Sequence, residues 1–330
     1  MLQNDLAITV FTYNRAANLR DTLEQLASGP FARCSVTVLD NHSTDATPAV
    51  CAEFEDRFER YRVIRNGVNV GLGANYLRAV EHSEAPYSWI LTDDEHFDFS
   101  DCGDVIAAIE EGEVDLISLG SPAQQQWERG LRTTTRALFD QGQRYFFVFT
   151  FVAGVIFRTE QFDDTCIAAG YRNAGNLYPQ FEHIRQCLER DRPVLVSRAW
   201  ITERNVRPVE ETVGSHLFWY LTALRSIALI DDPVIRHRAN WDMSASRRAW
   251  VVDLAARIAM ERIDRPQRLL RELGEVLLLV EPGQRLIVAA LTPLAFVPRG
   301  PMRGFRRLLR RVRGIVGAPE DTPDYDELRL

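Results

Sequence analysis

Along the first hundred positions, apolar residues come in short bursts that end in polar residues, and these bursts alternate with stretches of helical spacing. Leu6 to Thr12 is a near-continuous apolar run, which predicts a buried strand. The following "NRAANLRDTLEQLAS" carries Leu19, Leu23 and Leu26 at spacings of four and three, which predicts a helix. "CSVTVLD" predicts a second strand ending at Asp40. A helix is expected near Pro48 to Arg60, after the turn and cap residues of "NHSTDAT". "RYRVIRN" reads as a third strand, "GLGANYLRAVEHS" as a third helix and "YSWILT" as a fourth strand. Strands alternating with helices predict an α/β fold on a mostly parallel sheet covered on both faces.

From about residue 216 the pattern becomes helical. "HLFWYLTALRSIALI", "SRRAWVVDLAARIAMERI" and "PQRLLRELGEVLLLV" all show spacings of three to four, with linkers at "IDDPV" and "VEPGQ". The expected division is therefore 1–215 for the α/β part and 216–330 for a helical C-terminal region. Near 301–316, "RGPMRGFRRLLRRVRGIVG" sets Phe305, Leu308, Leu309, Val312, Ile315 and Val316 on one face. Arg303, Arg306, Arg307, Arg310, Arg311 and Arg313 make another. Such a helix can lie on an anionic membrane surface. Equally, it can dock by its apolar stripe, its arginines answered by the acidic tail "PEDTPDYDEL".

Composition changes the picture in one respect. The 330 residues, 46% hydrophobic, can bury a sizeable core, and a net charge of −7 argues against bulk nucleic-acid binding. Yet all 39 basic residues are arginine. Without a lysine there is no Walker-type phosphate loop and no Schiff-base chemistry. The five cysteines, Cys34, Cys51, Cys102, Cys166 and Cys187, show no metal-like spacing and are expected to be reduced core thiols. The start "MLQNDLAITVFTYNR" lacks the features of a secretory signal, and the longest apolar run, Leu286 to Val297, falls short of the roughly 20 residues of a membrane span. The expected location is cytoplasmic.

The polar stops are the candidate chemistry. Thr12, Tyr13, Asn14 and Arg15 end the first strand, Asp40 and Asn41 the second and Asn66 the third. Gly71, Gly73 and Asn75 open the third helix, and Asp93, Asp94 and Glu95 end the fourth strand. In open α/β sheets ligands bind beyond the carboxyl ends of the strands, so four such ends favour a nucleotide site. Asp40 suits a ribose or base edge, Arg15 a phosphate, and the glycines a close backbone approach. Three consecutive carboxylates repel one another and call for water or a cation; their hard oxygens suit Mg²⁺ or Mn²⁺. A solvated turn capping the next helix is the simpler alternative for the acids.

Taken in order, "ITVFTYNR", "VLDNHSTDAT", "RNGVNVGLGANYLRAV" and "WILTDDE" resemble the successive nucleotide-binding segments of family 2 glycosyltransferases, which have the GT-A fold. The "YSWILTDDE" phrasing is similar to bacterial abequosyl- and rhamnosyltransferase-like members. The resemblance implies that Asp40 contacts the base of a nucleoside-diphosphate sugar. It also implies that Asp93, Asp94 and Glu95 stand in the place of the DXD motif for ribose and metal, with Mn²⁺ or Mg²⁺ as cofactor. It further implies an inverting transfer, and the basic C-terminal helix would suit a polysaccharide or lipid-linked glycan acceptor and peripheral contact at the inner membrane face. The family's general base lies in an acidic pair on a later helix. That pair is not intact in "GNLYPQFEHIRQCLERD", where Glu182 is the expected base and His183 the second choice, with Asp163 or Asp164 if the alignment slips. His216 is a candidate late metal ligand, and Arg204 and Arg207 are candidate diphosphate clamps. The broken pair keeps open a non-catalytic nucleotide-sugar-binding protein. A sugar nucleotidyltransferase is a further alternative, although it normally needs a lysine.

Overall fold

The computed structural model describes residues 2–119, 127–142, 145–175, 178–202, 216–242, 247–264 and 266–316. The chain divides into two compact units, Met1–Val206 and Arg207–Leu330.

In the first unit the four expected strands form as β1 (Leu6–Thr12), β2 (Ser35–Asp40), β3 (Arg60–Arg65) and β4 (Tyr87–Leu91). β2 and β4 flank β1, and β3 lies beyond β2, all in parallel. The sheet then continues through later strands. With β5 (His96–Asp98), β6 (Leu116–Ser118), β7 (Leu131–Thr134), β8 (Val155–Arg158), β9 (Pro193–Val196) and β10 (Trp200–Thr202), the eight-stranded order is β3-β2-β1-β4-β8-β6-β9-β7. β8 runs antiparallel between β4 and β6, and β7 antiparallel on β9. β5 and β10 form a separate antiparallel pair.

Every residue of β1 is buried, because helices cover both its faces. On one side Leu6, Ile8 and Val10 meet Leu19, Leu23 and Leu26 of the helix Ala16–Ser28, with Val105, Ala108 and Ile109 of the helix Gly103–Glu111. On the other, Phe11 lies edge-on to Tyr76 of the helix Leu72–Glu81. The helix expected over Pro48 to Arg60 spans only Thr47–Glu53. A succession of turns then brings Phe54 and Phe58 into the core before the edge strand β3, where Arg60, Arg62, Val63 and Arg65 are exposed and Tyr61 and Ile64 less so.

The second unit is helical: His216–Ile227, Pro233–Asp242, Arg247–Asp264, Pro266–Leu279, Pro282–Leu291 and Arg299–Val316. Leu221, Leu224, Trp250, Leu254, Leu269 and Leu273 share its core, and the Trp250 indole donates to the Tyr220 hydroxyl at 2.7 Å. The basic helix Arg299–Val316 packs Leu309 and Phe305 against Ala255 and Ala256 of the helix Arg247–Asp264, and buries Met302. Phe305 and Leu309, two of the residues considered for lipid contact, thus pack within the unit, while Leu308 is exposed. The acidic tail lies outside the described residues. Among the described residues no helix is long and apolar enough to cross a membrane.

Candidate nucleotide and acidic site

The grouping of the polar strand ends follows from register. Val10 of β1 pairs with Leu91 of β4, so two residues further on Thr12 and Asp93 leave the sheet side by side. The Thr12 hydroxyl donates to Asp93 Oδ2 at 2.5 Å. Arg15 lies just past β1, at the non-helical entry of the helix Ala16–Ser28. One of its nitrogens, Nη1, donates to Asp93 Oδ1 and to Asp94 Oδ2, both at 3.1 Å. Asp93 is 2% exposed, and burial pushes its carboxyl up to about 6 despite the opposing charge of Arg15. Burial works against the Arg15 charge in turn, but Asp93 and Asp94 outweigh it and hold the guanidinium more firmly protonated.

Glu95 is buried and turns back to accept from the Thr92 hydroxyl at 2.9 Å. Gln25 clasps this turn from the neighbouring helix: its amide donates to the Glu95 carbonyl at 3.2 Å and accepts from the Phe97 N–H at 3.0 Å. Phe97 and Phe99 stack on each other and meet Trp89 edge-on. The apolar residues after the acids thus anchor the turn in the core.

At the end of β2, Asp40 is buried and accepts from the Ser43 N–H at 2.9 Å, while its other oxygen pairs with Arg65 Nη1 at 3.2 Å. Arg65 also donates to the Ser43 carbonyl at 2.7 Å. Asn14 sits at a φ of 52°, a left-handed conformation that asparagine tolerates. It accepts from the Thr44 N–H and donates its own N–H to Ser43 Oγ. Tyr13 beside it is 43% exposed.

Four asparagines close the floor. Asn66 donates to Asn41 at 2.9 Å and to Asn75 at 2.8 Å, Asn41 donates to Asn69 at 2.8 Å, and Asn69 accepts from the Gly71 N–H. Gly71 has a φ of +82°, which glycine alone adopts readily. Gly73 departs from expectation: a Cβ there would lie 2.3 Å from the Ala174 carbonyl oxygen, so its bareness serves packing against protein backbone.

The structure brings Thr12, Arg15, Asp93 and Asp94 together at one edge, Asn14 and Asp40 around Ser43, and Asn41, Asn66 and Asn75 into a further network. Ser43, Arg65, Asn69 and Gln25 also build the site, yet the sequence reading passed over them; the last two lie in a turn and on a helix face with no signal of their own. The metal set fares differently. The carboxylate oxygens suit a hard cation, but among the described residues no group of three or more His, Cys, Asp or Glu side chains converges to hold one. Arg15 stands against Asp93 and Asp94 instead. The His216 side chain, Arg204 and Arg207 lie outside the described residues.

The base candidates also separate. Glu182 opens the helix Phe181–Glu189 and is clasped by Arg185, whose Nε donates at 3.2 Å and whose Nη2 makes a closer contact. His183, the second choice, is 1% exposed and packed between the rings of Phe157 and Phe162, with Cys187 Sγ 3.3 Å from Nε2. Burial lowers its pKa to about 3, which favours the neutral ring. Asp163 caps the helix Asp164–Arg172 through the Cys166 N–H at 2.8 Å.

Residues 7–175 match the family described as Glycosyl transferase family 2. Among solved structures, the chain is similar to S. aureus TarS 1-349 in complex with UDP-GlcNAc, with 14% identity and a TM-score of 0.53 over 94% of this chain and 92% of that one. Against the longer S. aureus TarS it has 16% identity and a TM-score of 0.53, and spans about half of that protein's length, 53%, with 88% of its own. Against the mannosyltransferase PcManGT of Pyrobaculum calidifontis, in complex with GDP-Man and Mn²⁺, identity is 16% and the TM-score 0.52, over 89% of this chain and 86% of that one. At such identities the likeness is one of fold. A comparison with curated proteins found no match.

Proposed function

Since the chain belongs to glycosyl transferase family 2 and has the GT-A fold, we propose that it transfers a sugar from a nucleoside-diphosphate donor to a polysaccharide or lipid-linked glycan, by an inverting, metal-dependent displacement. The observation that carries the reading is the junction of β1 and β4, where Thr12 and Arg15 hold Asp93 and Asp94 beyond the same strand ends as Asp40 and the asparagines. UDP-GlcNAc and GDP-Man in the structurally similar proteins support a nucleotide-sugar donor. In this reading Asp40, fixed by Ser43 and Arg65, receives the base, and the Asn14–Ser43 loop lines the ribose side. Asp93 and Glu95 would hold Mn²⁺ or Mg²⁺, which supplies Lewis-acid stabilisation to the departing diphosphate. Glu182 takes the acceptor hydroxyl's proton once Arg185 releases it.

A second reading has an observation of its own. Glu182 is tied to Arg185, which also holds Glu189, so a protein that binds donor without turning it over fits the same crevice. For the acceptor, exposed Arg303, Arg307 and Leu308 on the C-terminal helix favour peripheral contact with an anionic lipid surface at the cytoplasmic face.

The test is a thermal-shift panel of UDP, GDP, CDP and dTDP, each with and without Mn²⁺. One nucleotide raising the melting temperature only with metal is the expected result and names the donor base. No shift with any of them overturns the proposal. Donor consumption with the matching sugar nucleotide then separates transferase from binding protein.

A further inference from the structure

From Pro282 to Val316 the chain carries eight arginines and not one acid, although its net charge is −7 overall. The first part of this stretch is almost uncharged: between Pro282 and Pro298 the one ionisable side chain is Arg285. Its surface is apolar as well. Leu286, Ala290 and Pro293 are four and three residues apart, the spacing of one helical face, and Phe296 follows Pro293 by three, the repeat of the 3₁₀ turn Thr292–Phe296. All four are exposed, Leu286 by 77% and Phe296 by 66%, so they form a row of bare apolar side chains. The row adjoins the basic helix, because Leu291 and Leu294 share with Phe305 and Leu309 the small core built on Ala255 and Ala256. Arg262 holds the end of the turn there, donating to the Val297 carbonyl at 3.1 Å. Arg299, Arg303 and Arg307 follow in the chain and are exposed. An unbroken apolar row beside uncompensated cations is the mark of a surface that something covers.

We propose that this row and the arginine helix together are a docking surface for an anionic phospholipid bilayer: Leu286, Pro293 and Phe296 enter the boundary between headgroups and acyl chains, and the arginines pair with lipid phosphates. The inference rests on the lipid-surface contact proposed above for the basic helix and deepens it by adding an element that inserts. Charge selects the occupant. Guanidinium groups pair with phosphate oxygens in a fork, and the acidic remainder of the chain is repelled by an anionic surface, which leaves this stretch as the face of approach. A soluble polyanion would satisfy the arginines and leave the row in water, whereas a bilayer takes up both. The chain's own acidic tail holds five acids, from Glu320 to Glu327, against eight arginines, too few to answer the charge in full. Insertion and phosphate pairing reinforce one another, since stable peripheral anchoring takes two such signals.

The experiment is co-sedimentation of the full chain with vesicles of phosphatidylcholine alone and with vesicles of phosphatidylcholine and phosphatidylglycerol in equal parts. The wild type is expected to bind the anionic vesicles at least about tenfold more tightly than the neutral ones. Leu286→Ser/Phe296→Ser is expected to lose about tenfold of that affinity, and Arg303→Glu/Arg307→Glu as much. Equal binding to both kinds of vesicle, or none to either, overturns the proposal. Should the serine variant not fold, a Phe296→Cys chain carrying an environment-sensitive fluorophore reports insertion directly: its emission is expected to shift to the blue on anionic vesicles, and an unshifted emission from bound protein is fatal. Full affinity in the serine variant, with a loss in the glutamate variant, removes the inserting row and leaves only the electrostatic contact. A wild-type dimer that the serine variant breaks assigns the row to a second copy and overturns the bilayer. Binding to inorganic polyphosphate but not to vesicles does the same in favour of a soluble polyanion. Vesicle binding by a chain that no nucleotide stabilises removes the donor-site reading alone, whereas nucleotide stabilisation without vesicle binding removes the docking surface alone.

Discussion

Thr12 and Asp93 are 81 positions apart in sequence, yet their side chains meet at 2.5 Å because β1 and β4 are parallel neighbours in register. Thr12→Val keeps the shape and deletes the donor to a buried carboxylate. A loss of about 1–3 kcal/mol is expected, a fall of a few degrees in Tm, together with weakened nucleotide binding. Thermal unfolding with and without nucleotide checks both; an unchanged Tm would mean that Asp93 is satisfied by other means.

Asp40→Asn removes the charge that holds Arg65 and sets an amide NH2 against that guanidinium, while its remaining oxygen can still accept from the Ser43 N–H. Nucleotide affinity, measured by calorimetry with the base that gives the largest thermal shift, should fall at least about tenfold. An undiminished affinity would show that the base is read elsewhere in the crevice.

Glu182→Gln tests the base. Donor binding should be retained and transfer should fall by about 10²–10⁴-fold, the usual contribution of general-base catalysis. Full transfer by this variant would remove Glu182 from the mechanism and return attention to Asp164.

His183 gives a pH signature. Its pKa is about 3 in the folded chain, against an ordinary value near 6.5 when unfolded. The stability it contributes is complete above about 6.5 and is lost as pH falls toward 3, because only the unfolded chain takes up the proton. Between pH 6.5 and 5 the wild type should lose about 2 kcal/mol more than His183→Gln, read from urea unfolding at each pH. Parallel pH profiles for the two proteins would show that the site is solvated.

Gly73→Ala would place a Cβ 2.3 Å from the Ala174 carbonyl oxygen. Overpacking against backbone should cost about 1–3 kcal/mol, seen as a lower Tm. Nucleotide affinity at a temperature where the variant stays folded should change little, which distinguishes a packing glycine from one that touches ligand.

These sites show what could be read in advance. β1 to β4 were legible because each is an apolar run with a polar stop, and a parallel sheet turns those stops into one edge. The remainder of the sheet was not. β6, β8 and β9 have three or four residues each, too few to show a period, and the antiparallel insertion of β8 between β4 and β6 depends on pairing across about seventy residues to β4 and about forty to β6. Arg65 carries no signal within "RYRVIRN", and only the β2–β3 register brings it to Asp40. The burial of His183 was equally illegible. A histidine next to a glutamate suggested chemistry, but the rings that enclose it, Phe157 and Phe162, come from a strand and a turn earlier in the chain. The C-terminal helix displayed its amphipathic stripe plainly, while the partner surface at Ala255 and Ala256 is too small-sided to announce itself.

All five cysteines are buried and free of disulfides, and burial pushes their thiols up, Cys34 and Cys51 to about 11 and Cys187 to about 12. Thiolate is the reactive form, so at neutral pH the folded chain offers alkylating reagents almost nothing. With no lysine in the sequence either, the side chains present a surface nearly silent to the two commonest bioconjugation chemistries. A single cysteine introduced at exposed Tyr13 would carry a fluorophore at the lip of the crevice with little background label, which makes the protein a natural substrate for following ligand arrival by fluorescence.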